Sequence, residues 1–280
     1  MSDLDDKSES ASAPSEPEPA DPADDGASAF ESADEGASRP EPELEPEPVQ
    51  APPRGAASMA WLVALAVTAI AAGAVFLAFQ PERAGARSIL LILGCPYVGL
   101  SALTCLWLYL RGELRQRLAP AGGDVTKGFM LAALLYGGAV LANRLLTAKG
   151  TPREWWVIRA YLHVGDPTVA TAWAVGLAVL VIAACEEVVW RGLVMGSLIR
   201  AHGRTVGWLL TTALYVAAYA PTITLLRDEF AGPNPLLVGS ALVGGLVWGF
   251  IASRTGRLMP MVFAHALTTW AIVEYPVWRF

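Results

Sequence analysis

The stretch ACEEVVWRG, residues 184–192, decides how the rest of the chain is read. Residues 167–184, which lead into it, carry no charge and only two threonines. Two carboxylates then stand side by side, Glu186 and Glu187, and Arg191 follows four residues after the second. An apolar run of about 20 residues is what a bilayer core asks of a helix. Ionisable residues inside such a helix are costly, and by default they mark a functional site.

Working outward, the same reading finds apolar runs over 60–79, 89–110, 128–146, 168–185, 206–221, 236–253 and 258–273. They lack the polar stripe that a water-facing helix needs. The predicted fold is therefore all-α: a polytopic transmembrane bundle of about seven to eight membrane helices. The eighth candidate is REWWVIRAYLHV, residues 153–164. Its paired tryptophans among arginines suit either a segment at the headgroup level or a short further span. Asn143 and Arg144 fall at the end of the third run, where a long arginine reaches the interface.

Charge is divided unevenly along the chain. Residues 1–54 hold 16 acidic and three basic residues, a net of −13, whereas the remainder carries +7. The first segment is also rich in Pro, Ser and Ala. It has too little apolar surface to offset the ordering entropy of a fold, so a disordered acidic tail is expected. No secretory signal is recognised there, which predicts a tail attached to a retained membrane anchor. The expected division is thus a tail over 1–54, N-terminal membrane helices with an interfacial segment over 55–166, and a second membrane unit over 167–275. Basic residues in the loops give a small positive-inside bias, opposed by Arg144, Lys149, Arg153 and Arg159. Cys95, Cys105 and Cys185 lie in apolar runs without metal-type spacing and are expected to pack as small apolar residues.

Helical spacing gives the two glutamates different surroundings. On an unbroken helix Glu187 and Arg191 share a face one turn apart, in the favourable order for a pair. Glu186 lies about 100° around, with Trp190 rather than a cation at i+4. A desolvated carboxyl beside a like charge is the environment of a general base. An ion pair that merely locks two helices would look the same. In TGRLMPMVFAHALTTW, residues 255–270, His265 is the only histidine within an apolar run, and Thr269 shares its face one turn on. A histidine beside a hydroxyl can support an oxyanion while a glutamate activates water. Zinc would need three ligands, which Glu186, Glu187 and His265 supply only if Glu187 gives up Arg191. No cofactor is therefore expected.

Taken together, these motifs resemble the membrane-embedded CAAX-protease and bacteriocin-processing (Abi) family of glutamic-type intramembrane proteases, over about residues 168–273. EEVVWRG (Glu186, Glu187, Arg191, Gly192) matches the family's first motif, and TGRLMP with VFAHALTT follows its third. The second, an aromatic residue with histidine four residues later, has its aromatic in Tyr215 but Tyr219 at the histidine position. Tyrosine thus replaces that histidine, and Thr269 stands where asparagine is common. The resemblance implies an intramembrane endopeptidase in which Glu186 activates water and His265 with Thr269 stabilises the oxyanion. Glu187 and Arg191 would brace the site. Tyrosine, with an ordinary pKa of about 10, cannot be a neutral-pH base, but its hydroxyl can orient the water. The alternative is a catalytically impaired relative acting as a membrane scaffold or binding protein. The implied partners are a peptide or protein substrate and the lipid bilayer, with no nucleic acid. The implied location is the plasma (inner) membrane, crossed several times.

Overall fold

The computed structural model describes residues 55–165 and 172–279. The acidic tail expected over 1–54 lies outside them, as does 166–171 at the start of the fourth expected span. Among the described residues there is no strand, only a bridge between Asp228 and Gly232. The helices are α1 (Ala56–Ala78), α2 (Ser88–Leu110), α3 (Leu114–Leu118), α4 (Asp124–Leu146), α5 (Glu154–Val164), α6 (Ala172–Glu187), α7 (Met195–His202), α8 (Arg204–Tyr219), α9 (Thr222–Leu225), α10 (Leu236–Thr255) and α11 (Met259–Glu274). A widened π turn, Val188–Val194, joins α6 to α7.

The all-α prediction holds; helix length and composition alone do not reach the expected seven to eight spans. Among the described residues, six helices are long and apolar enough to cross a membrane, one of them the continuous rod Trp173–His202 of 30 residues. That rod runs about 45 Å, well beyond a hydrocarbon core of about 30 Å. The seventh expected span is α11, which has only 16 residues. It starts after the left-handed turn at Gly256, with Pro260 in its first turn, and ends before Pro276. The eighth candidate is α5, whose 11 residues cover about 16 Å and cannot cross. The headgroup-level alternative is the one its length allows.

Packing follows small residues, because in lipid helices associate through close contact rather than water exclusion. On α1, Ala60, Ala64, Val67 and Ala71 recur at helical spacing and join the cluster of Val189, Trp190, Val194 and Leu198 from the rod. Tyr97 of α2 and Tyr215 and Ala218 of α8 complete it. Further out, α11 lies against α4 and α6, and α8 against α10. A Cβ on Gly128 of α4 would sit 2.5 Å from the Phe263 Cβ of α11, so only glycine permits that approach. Gly192, the glycine of the glutamate motif, is approached less closely, by side-chain ends from α2 and from the turn before α11. A Cβ there would lie 3.2 Å from Thr104 and 3.3 Å from Leu258.

The cysteine expectation needs one correction. Cys105 and Cys185 are half-buried, but Cys95 is exposed. It lies on the outward side of α2, where lipid rather than protein is its surrounding and no packing partner is required.

The chain's turns gather at two ends. At one, Arg117 O accepts from Leu258 N–H, and Arg257 pairs with Asp124 at 2.6 Å. At the other, α5 is tied to the C-terminal segment and to the loop after α9. Tyr161 donates to Ile272 O, Asn143 to Val277 O, and Asn234 to Trp156 O. This second end closes over a cavity of about 400 Å³.

Candidate active site

The rod places both glutamates halfway along its length, because about 14 residues separate Trp173 from Glu187. Both carboxyl groups are buried, as are Arg191 and His265. Here the π turn matters: widened turns inside α-helices are frequent at functional sites, and this one holds Trp190 and Arg191.

Glu187 and Arg191 form the expected pair, with Nη1 of Arg191 donating to Oε1 at 2.8 Å. The guanidinium lies over the Tyr215 ring at 4.8 Å and the Trp248 ring at 5.6 Å, and Nη2 reaches Gly244 O at 3.4 Å. Breaking such a pair from one side leaves an uncompensated buried charge. His265 also joins Glu187, its Nδ1 lying 2.8 Å from Oε1. Because a carboxylate only accepts, Nδ1 carries the hydrogen. Trp248 stacks on the imidazole at 4.0 Å, which fixes the ring plane. The remaining nitrogen, Nε2, is turned toward Oε2 of Glu186 at 3.8 Å.

Glu186 is less isolated than its sequence position suggests. Its Oε1 accepts from Tyr219 at 2.8 Å and from Tyr97 at 3.0 Å. Buried phenols need acceptors, and a carboxylate between two helices supplies one to both. Its Oε2 accepts no hydrogen bond from the described residues. The 3.8 Å gap to His265 is too long for a direct hydrogen bond.

The predicted residues do converge, in two sets. Glu186, Tyr219 and Thr269 line the cavity, which runs along α6 by way of Val175, Val179, Ile182 and Ala183. Glu187, Arg191 and His265 lie behind them as a braced group. Thr269 is half-buried and its hydroxyl forms no hydrogen bond among the described residues, so it is available to a ligand. Three residues were not found from sequence: Tyr97, Trp190 and Trp248. A tyrosine in an apolar span was a signal, since it needs a partner, but nothing in the spacing connects α2 to α6.

A polytopic helical bundle with a buried Glu–Glu–Arg–His cluster beside an apolar cavity is the class of membrane protein that fold and site define. Within that class, residues 168–271 match the Rce1-like family, described as type II CAAX prenyl endopeptidase Rce1-like, which is a protease family. The stretch covers α6 to α11 and all the site residues except Tyr97. No curated protein matches the chain, and no solved structure does.

Proposed function

We propose that the protein is an intramembrane endopeptidase that hydrolyses a peptide bond of a membrane-associated or C-terminally tagged substrate, in the plasma (inner) membrane. The observation that carries this reading is Glu186 at the inner end of an apolar cavity, with its Oε2 3.8 Å from Nε2 of His265 just behind the cavity wall. A water seated to one side of the pair, on the cavity, would reach both at hydrogen-bond distance.

Arg191 offsets Glu187, so a single proton shared by Glu186 and His265 leaves the buried cluster neutral, the cheapest state in low dielectric. With that proton on His265, Glu186 Oε2 takes a proton from water as the water oxygen bonds to the scissile carbonyl carbon. The Nε2–H of His265 and the Thr269 hydroxyl donate to the carbonyl oxygen as it becomes negative. On collapse the C–N bond breaks and Glu186 returns its proton to the leaving amine. Tyr219 cannot act as a base, and it serves here as a donor that holds Glu186 in place. A substrate entering the cavity must be extended and largely apolar, because α6 lines it with Val175, Val179, Ile182 and Ala183.

The test uses the full chain in liposomes with two internally quenched peptides ending in a Cys-aliphatic-aliphatic-X sequence, one farnesylated on the cysteine and one not. The native protein should cleave at least one of them. Glu186→Gln should lower kcat by about a thousandfold, within the range for loss of a general base, and leave the fold unchanged. A native protein inert toward both peptides, or a Glu186→Gln variant that cleaves normally, sinks the reading. Activity that arises only in Tyr219→His would favour the scaffold alternative.

A further inference from the structure

Tyr97 lies outside residues 168–271, and the family match gives it no task. Its position in the hydrogen-bond chain is specific. The Trp190 indole donates to the Tyr97 oxygen at 3.3 Å, and Tyr97 lies 3.0 Å from Glu186 Oε1. An indole N–H is a donor only, and a phenol has one hydrogen to give. The indole therefore occupies a lone pair of the phenol oxygen and leaves its hydrogen for the carboxylate. Tyr219 brings a second hydrogen to the same oxygen from the opposite side, on α8.

A glutamate's terminal torsion is broad and nearly two-fold. Unrestrained, the carboxyl group exchanges its two oxygens and samples a wide fan of orientations. Two charge-assisted bonds on Oε1, from helices on either side, end that freedom. They leave Oε2 as the one oxygen of Glu186 with capacity to accept, directed at the cavity and at His265. Tyr97 is almost wholly buried and does not line the cavity, so it acts on Glu186 and not on a substrate.

We propose that Tyr97, oriented by Trp190, is a positioning residue for the hydrolysis: with Tyr219 it saturates Oε1 and fixes Oε2 as the proton-accepting oxygen. The active site is then built from α2 as well as from the family segment. This rests on the endopeptidase reading above.

The experiment measures kcat and KM separately, on the same two peptides in liposomes, for Tyr97→Phe, Tyr219→Phe and the double variant. Tyr97→Phe should lower kcat by about tenfold, the scale of one hydrogen bond to a charged group, with KM unchanged and an unfolding midpoint no lower than that of Tyr161→Phe, which loses the same kind of bonds. The double variant should lose more than the product of the single losses, because either phenol alone still holds Oε1. A structural role alone would shift the midpoint and leave kcat. A Tyr97→Phe kcat within twofold of native, or a fall matched by an equal rise in KM, overturns the proposal. If Glu186→Gln is inert while Tyr97→Phe is normal, only the role of Tyr97 fails. If Glu186→Gln cleaves normally, both readings fail together.

Discussion

The two ends of the cavity hold similar numbers of polar side chains and use them in opposite ways. At the outer end, the Tyr161 hydroxyl donates to Ile272 O and accepts from Val277 N–H, while Asn234 donates to Trp156 O and Leu226 O. These side chains are spent on the main chain at helix ends, where backbone groups have no intrahelical partner. At the inner end, Tyr97, Tyr219, Arg191 and His265 bond to one oxygen of each glutamate, and Oε2 of both is left over among the described residues, with only Glu186 lining the cavity. Burial of polar groups is thus no sign of chemistry by itself. A carboxylate held at one oxygen and open at the other, at the foot of a cavity and beside a second buried glutamate and a histidine, is.

The comparison can be broken from either side. The largest effect outside the reacting groups should come from Arg191→Met, which leaves Glu187 buried without its cation and costs about 3–5 kcal/mol. Thermal unfolding in detergent would measure it, and a variant as stable as native would show that the brace carries no weight. Tyr161→Phe should behave in the opposite manner to Glu186→Gln. It removes a donor and an acceptor at the outer end, costing about 1–3 kcal/mol, yet kcat in liposomes should stay within about twofold. A loss of kcat like that of Glu186→Gln would erase the distinction between the ends. Burial pushes the Tyr161 phenol up to about 12, so it remains a donor throughout the working range.

The smallest effect concerns Asp228 at the outer end. The backbone N–H groups of Phe230 and Ala231, with Arg159, hold its carboxyl below the ordinary carboxylate range. A depressed folded-state value contributes stability above the unfolded pKa of about 3.9, which is lost as pH falls through the folded value. Native and Asp228→Asn proteins should therefore differ in unfolding midpoint at pH 7 and converge below about pH 3.9. Midpoints that stay apart in acid would refute a stabilising role for the charge.

The fold class was legible because apolar run length is a local property, and so was the Glu187–Arg191 pair, since i,i+4 spacing survives even a π turn. What local pattern could not supply was contact between distant helices. Glu186 read as unpaired because its hydrogen-bond partners come from α2 and α8. The pairing of His265 with Glu187 was hidden for the same reason: the sequence aligned the histidine with Thr269, while the fold turns its Nδ1 toward the rod. Length sets α5 and α11 apart from the six longer helices, their ends being fixed by Gly256, Pro276 and the ties of α5 to the C-terminal segment.

The cavity wall also works as a depth gauge. From Val175 to Glu186 the lining face of α6 spans eleven residues, about 16 Å. An extended peptide covers that distance in roughly five residues. Under the endopeptidase reading proposed above, a chain end seated against α5 would present to Glu186 a bond only a few residues from its terminus, with the helix's own rise setting the position of the cut.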